Sequence, residues 1–144
     1  MARKMSDGEW RAFISTGVKT GKLGVVRPDG RPHVVPVWFV LGDDDVIRFQ
    51  TGGSSAKIAA IRHEPRVSLC IDDEDPPFSF VIVEATARID TTDTDLRWRI
   101  AHECGGRYMG ADRAEEFARR NSVDGECTVE LDIVRVIAEA GISA

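Results

Sequence analysis

Cysteine is scarce in this chain of 144 residues. Cys70, Cys104 and Cys127 are odd in number and far apart. There is no Cys-x-x-Cys pair and no His/Cys cluster, so the spacing asks for no metal site, and the thiols are expected to be reduced and mostly buried. Histidine is equally sparse, with His33, His63 and His102 scattered along the chain. No run of 18 apolar residues occurs, so no membrane span is expected. An excess of positive charge is missing too. Nineteen basic residues against 24 acidic ones leave a formal charge of −5, which disfavours nucleic acid as the main partner, because a phosphate backbone needs a basic face. The opening Met1-Ala2-Arg3-Lys4-Met5 carries charge with no apolar stretch behind it. No signal peptide is therefore expected, and the cytoplasm is the expected location. Internal repeats, linkers and low-complexity segments are also lacking.

What remains is an ordinary globular composition. Charged residues are 30% and hydrophobic residues 42%, a balance that argues against disorder. The length suits one domain over residues 1–144 with a substantial core.

The most informative stretch is Gln50-Thr51-Gly52-Gly53-Ser54-Ser55-Ala56-Lys57. It leaves the apolar strand Val46-Ile47-Arg48-Phe49, crosses two glycines and starts a helix at a serine pair. Glycine admits backbone conformations closed to other residues. Ser54 or Ser55 is a good helix cap, since its hydroxyl accepts from free amides of the first turn. Those amides, the helix dipole and the Lys57 ammonium together make a place for an anion. Thr51 and the serines add hydroxyl donors, and Arg62 adds a guanidinium if it faces the same side. The bland alternative is a strand-to-helix turn with a solvated lysine.

Taken in order, Ser6-Asp7-Gly8-Glu9 reads as a capping box for a helix over residues 7–16, with Trp10, Phe13, Ile14 and Val18 at helical spacing and Gly17 at its end. A short strand over 22–26 leads to a turn over 27–31. Residues 32–41 form a nearly all-apolar strand with both faces expected to be covered. Pro36 within it marks an edge or a bulge, which frees the backbone around Val35, Pro36 and Val37. A polar hairpin turn at 42–45, a strand at 46–51, a helix at 55–63 and a strand at 67–71 follow. Residues 72–77 read as an acidic loop. Residues 78–90 read as one long strand, with Phe78 and Phe80 on a shared face. That pair is either an aromatic floor for a planar ligand or part of the core. A helix from Thr92-Asp93-Thr94-Asp95 to about Glu103, with Leu96, Trp98 and Ile100 as its apolar members, is expected to be broken by Gly105-Gly106-Arg107-Tyr108-Met109-Gly110. A polar helix over 111–120 and a strand over 127–138 complete the chain. About six strands joined mainly by hairpins, with helices at the margins, predict a mainly β (α+β) antiparallel barrel.

The order of these features resembles the pyridoxamine 5′-phosphate oxidase-like family of FMN-binding split β-barrels. Within it, the sequence looks closest to the actinobacterial branch of deazaflavin (coenzyme F420)-dependent reductases. The resemblance covers nearly the whole chain. It is carried by Gly30-Arg31-Pro32-His33-Val34-Val35-Pro36-Val37-Trp38-Phe39, by Phe49-Gln50-Thr51 with Ser55-Ala56-Lys57, by Arg62-His63-Glu64-Pro65-Arg66-Val67-Ser68-Leu69, by Val83-Glu84-Ala85-Thr86-Ala87 and by Arg107-Tyr108-Met109-Gly110. Ala85 stands where the branch often has glycine.

The resemblance implies a homodimer of split barrels with two cofactor sites at the interface. On the matching positions, Thr51, Ser55 and Lys57 would hold the cofactor phosphate, with Arg62 a weaker candidate. Val35, Pro36 and Val37 would lie along the ring. Phe78 and Phe80 would line the site, and Arg107 and Tyr108 would reach it across the interface. The implied activity is hydride transfer from reduced F420 to a small electron-poor acceptor. No residue stands out as an essential acid; solvent, Tyr108 and His33 are the candidate proton sources. An FMN-dependent oxidoreductase of the same fold fits the phosphate residues equally well. Room and positive charge for the longer acidic tail of F420, from Arg31, Lys22, Arg62 or Arg66, would separate the two. The non-catalytic alternatives are a flavin or deazaflavin carrier, a sensor, a haem-binding barrel with His33, His63 or His102 as axial ligand, and a dimeric scaffold without ligand.

Overall fold

The computed structural model describes residues 1–144. The first helix, α1 (Asp7–Ser15), begins as its sequence dictates. The Ser6 hydroxyl accepts from the Glu9 amide, and the Glu9 carboxylate accepts from the Ser6 amide. Trp10 and Ile14 are its buried members. The chain leaves the helix through Gly17 at φ +69°, a conformation that disfavours any side chain.

The strands are β1 (Arg3–Lys4), β2 (Gly21–Val26), β3 (Pro32–Val37), β4 (Val40–Leu41), β5 (Val46–Gly52), β6 (Arg66–Asp72), β7 (Phe80–Asp90) and β8 (Glu126–Ala140). All pairings are antiparallel, in the order β3-β2-β6-β7-β8-β5-β4, with β1 added on β8. β3 and β4 are consecutive in the chain yet lie at opposite ends of this order. The sheet therefore curls until its two edges are bridged by Trp38 and Phe39. Counted as one interrupted strand, β3 and β4 make the expected six with β2, β5, β6, β7 and β8, and the two-residue β1 is extra. The result is a split-barrel α+β fold.

The inward residues form one core. Leu23, Phe39, Ile47, Phe49, Leu69, Ile71, Val81, Val83 and Leu131 are fully buried. Burying each is worth about 1.5–3 kcal/mol. Helix α2 (Ala56–His63) packs Ile58 and Ile61 onto this core, as α1 does Trp10 and Ile14. Helices α3 (Thr94–Met109) and α4 (Ala114–Asn121, entered through a 3-10 turn at Ala111–Arg113) pack on each other, and α3 also packs on β5.

Four expectations are corrected. The strand over 32–41 is broken after Val37, and its outer face is open, with Val34 66% exposed. β3 is an edge with no element over that face within the chain. The long strand begins at Phe80, not Phe78. Phe78 has φ +58° and its amide donates to the Asp75 carbonyl at 2.9 Å, so it belongs to a turn and the two rings do not share a strand face. The helix expected to end at about Glu103 runs on through most of the expected breaker to Met109. A Cβ at Gly105 would lie 2.6 Å from the Cβ of Phe117, so this glycine lets α4 approach closely. The stop is Gly110, the last residue of the expected breaker, at φ +106°. Finally, Trp98, read as an apolar member of that helix, is 40% exposed.

Candidate functional site

β5 delivers Thr51 to the top of the barrel and then turns sharply into α2. The Gly53 amide donates to the Gly125 carbonyl at 2.7 Å, and Ser55 donates to the Gly52 carbonyl at 3.0 Å. A Cβ at Gly53 would meet the Gly125 carbonyl at 3.0 Å and Cys127 Sγ at 3.2 Å, so the close approach needs glycine. Ser55 is the N-cap of α2, its hydroxyl accepting from the Ile58 amide at 3.4 Å. The Thr51 hydroxyl donates to that same oxygen at 3.2 Å. Two hydroxyls thus converge at the positive end of a helix. Ser54 is exposed beside them, and Lys57 is half-buried in the first turn.

Neither Lys57 nor Arg62 has a carboxylate within ion-pairing distance. Two of the cations considered for an acidic tail are already committed: Lys22 to Asp72 at 2.8 Å and Arg66 to Glu64. Arg31 and Arg62 remain uncommitted.

A pocket of about 240 Å³ adjoins this corner. Trp38, Gln50, Thr51 and Gly52 form its barrel side, Ala101 and Cys104 its α3 side, and Asn121 and Glu126 complete it. The Gln50 amide nitrogen donates to the Arg97 carbonyl, while Gln50 Oε1 and Arg97 Nε are buried without partners. Burial pushes the Cys104 thiol up to about 12, so it stays protonated and is no nucleophile. Sequence reasoning missed Trp38, Gln50, Cys104, Asn121 and Glu126 as pocket residues. Gln50 and Trp38 sit inside the quoted motifs, but nothing in the sequence says which strand residues face α3.

A second, larger groove of about 500 Å³ crosses the outer face of the sheet. Val26, Pro32, Val34, Ala85 and Val134 give it an apolar lining, with Arg66 and Glu84 among its polar members. Val34 and Val134 are 66% and 71% exposed. Ala85 lies at the register shift between β7 and β8.

The candidate residues do not all meet. Thr51, Ser54, Ser55 and Lys57 are together, with Arg62 on the same helix. Of the strand trio, Pro36 is exposed, Val35 is half-buried and Val37 is in the core. Phe80 pairs with Glu139, whereas Gln50 pairs with Thr128. Phe80 and the Phe78 turn are therefore about 35 Å along β8 from the hydroxyl corner. Arg107 and Tyr108 are half-buried, and their polar atoms are bonded to backbone carbonyls of their own subunit. Burial raises the Tyr108 pKa.

The family model described as pyridoxamine 5′-phosphate oxidase matches residues 6–137. The chain belongs to that family. Among solved structures, the conserved hypothetical protein Rv2991 from Mycobacterium tuberculosis is 25% identical, with 93% of this chain and 84% of that one covered at a TM-score of 0.80. A protein described as an F420 reductase is 24% identical over 83% of this chain and 90% of its own, with a TM-score of 0.63. An FAD-binding protein from Mesorhizobium loti is 19% identical over 96% of each chain, with a TM-score of 0.71. The last two likenesses show the fold alone. No curated protein matches the chain. No helix is long and apolar enough to cross a membrane.

Proposed function

We propose that this member of the pyridoxamine 5′-phosphate oxidase family is a reductase that uses coenzyme F420 to reduce a small, electron-poor, conjugated acceptor. The observation that carries this reading is the uncommitted Lys57 beside the Thr51–Ser55 hydroxyl pair, at a corner that adjoins the pocket walled by Trp38. Thr51, Ser54, Ser55 and Lys57 would hold the phosphate, with Arg62 and Arg31 available to the acidic tail. Pro36 and the strand around it, continued into the pocket by Trp38, would flank the ring. When bound, the deazaflavin supplies the hydride. The chain's own residues orient the ring and exclude water. The Tyr108 hydroxyl is bonded to a carbonyl and its pKa is raised, so solvent is the favoured proton source.

The exposed apolar groove around Val34 and Val134 supports a homodimer. In such an assembly Phe78 and Phe80 would reach a phosphate corner only on the other subunit. FMN is the second reading, favoured by the same phosphate corner.

The deciding experiment is fluorescence titration of the purified protein with oxidised F420 and, separately, with FMN. Tight F420 binding with weak FMN binding is expected. Preference for FMN would move the protein to the flavin reading. A Soret band on adding haem, with neither cofactor bound, would overturn both.

A further inference from the structure

Trp38 and Phe39 bridge the two edges of the barrel and belong to neither ladder. Their backbone groups need other partners, because an unpaired buried N–H or C=O is costly. The last turns of α3 supply them. The Phe39 amide donates to the Tyr108 hydroxyl at 3.3 Å, and that hydroxyl donates to the Lys19 carbonyl at 2.7 Å. Arg107 donates to the Phe39 carbonyl at 2.8 Å, to the Gly17 carbonyl at 3.0 Å and to the Ile14 carbonyl. Its guanidinium has no carboxylate partner and also lies over the Phe39 ring, 4.6 Å from its centroid.

The other end of this arrangement reaches the pocket. The Tyr108 ring lies flat against the Trp38 indole, with centroids 5.2 Å apart and planes 8° from parallel. Phe117 of α4 closes on the indole at 5.7 Å and 57°. Trp38 is the aromatic wall of the pocket beside Thr51.

We propose that Arg107 and Tyr108 are positioning residues for this pocket: they pin the strand break and hold the Trp38 indole as a fixed wall for a planar ring. The proposal rests on the cofactor reading above. It gives Arg107 and Tyr108 a role through Trp38 within one subunit, rather than through contact with the cofactor across an interface. The phosphate corner, built by β5 and α2, does not depend on them.

A double-mutant cycle with two probes tests it. Tyr108→Phe keeps the ring and removes the hydroxyl. It is expected to weaken F420 binding about tenfold, the scale of one hydrogen bond, while leaving the affinity for inorganic phosphate unchanged. In a Trp38→Leu background, Tyr108→Phe is expected to cost nothing further. Additive losses would overturn the proposal, as would parallel loss of phosphate and F420 affinity. If the wild-type protein binds neither F420 nor FMN, the cofactor reading fails separately. Trp38 emission then decides the positioning claim, measured in a Trp10→Phe, Trp98→Phe protein. A changed emission maximum on adding Tyr108→Phe supports a held indole, and an unchanged one overturns it.

Discussion

The Arg48 guanidinium meets the Glu130 carboxylate at 2.8 Å, with both side chains only 11% exposed. The two residues are paired in register across β5 and β8, and Glu130 is paired again with Arg88 of β7. Arg88 donates to Glu130 at 3.3 Å and to Asp132 at 2.6 Å, and Arg48 donates to Asp44 at 2.6 Å. Three strands are thus tied on their outer face by one chain of charges. Removing a buried member strands its partner. Glu130→Ala should lower the unfolding free energy by about 3–5 kcal/mol, read from urea denaturation. A loss under 1 kcal/mol would mean that water screens the pair.

The same network sets a pH dependence. The hydrogen bond from Arg48 holds the Asp44 carboxyl at about 2, below its ordinary 3.8, and Arg88 likewise lowers Asp132. A carboxyl with a lowered folded-state pKa contributes stability above its unfolded pKa and loses it as pH falls through the folded one. The urea midpoint should therefore fall between about pH 4 and pH 2. Asp44 is half exposed, so its share is small. Asp44→Asn should flatten the slope, and an unaltered slope would remove Asp44 from the account.

Adjacent glycines of α3 should behave oppositely. A Cβ at Gly105 would lie 2.6 Å from the Phe117 Cβ, whereas one at Gly106 would lie 3.5 Å from its nearest neighbour, the Ala114 Cβ. Alanine is the better helix former by about 1 kcal/mol. Gly106→Ala should keep that gain and raise the melting temperature. Gly105→Ala should instead cost about 1–3 kcal/mol as α4 is pushed away. Thermal melts of the two variants check the contrast.

Much of this architecture was legible in the sequence because local chemistry decided it. The Ser6–Glu9 box, the Ser55 cap and the Pro36 edge all follow from what single residues do to their own backbone. The misreadings are tertiary. Gly105-Gly106 reads as a helix breaker until Phe117 is brought against it, and helix packing then outweighs propensity. Phe78 reads as strand until the Asp75 turn captures its amide. The Thr51–Ser55–Lys57 corner was visible because its members lie within seven residues. Gln50 and Trp38 were invisible as pocket residues, because a period of two gives alternation but not which side α3 covers. Arg107 and Tyr108 stood out as a pair, but their bonds to Ile14, Gly17, Lys19 and Phe39 span some 70–90 residues of chain.

The apolar outer groove gives a prediction about assembly. Val34 of β3 and Val134 of β8 are large, exposed and part of one groove. Isolated exposed valines are ordinary, but a shared apolar groove marks an association surface. The protein should sediment as a dimer, and Val34→Glu with Val134→Glu should shift it to monomer with its circular dichroism unchanged. A monomeric wild-type protein would leave the groove to another use.

The corner proposed to hold the cofactor phosphate gives the last test. Lys57 is half-buried and unpaired, and it follows the Ser55 cap whose hydroxyl already accepts from Thr51 and Ile58. In that arrangement the helix end and the ammonium attract the same anion, while the hydroxyls fix its place. Lys57→Ala removes only the charge-assisted contact, worth about 1.5–3 kcal/mol. Affinity for F420 or FMN should therefore fall about ten- to a hundred-fold. No protein partner is lost, so the melting temperature without cofactor should stay where it is. Arg62→Ala, at the far end of the same eight-residue helix, should weaken F420 more than FMN if it serves the acidic tail. Unchanged affinity in Lys57→Ala would remove the phosphate from this corner, and a matching drop in stability would make the lysine structural.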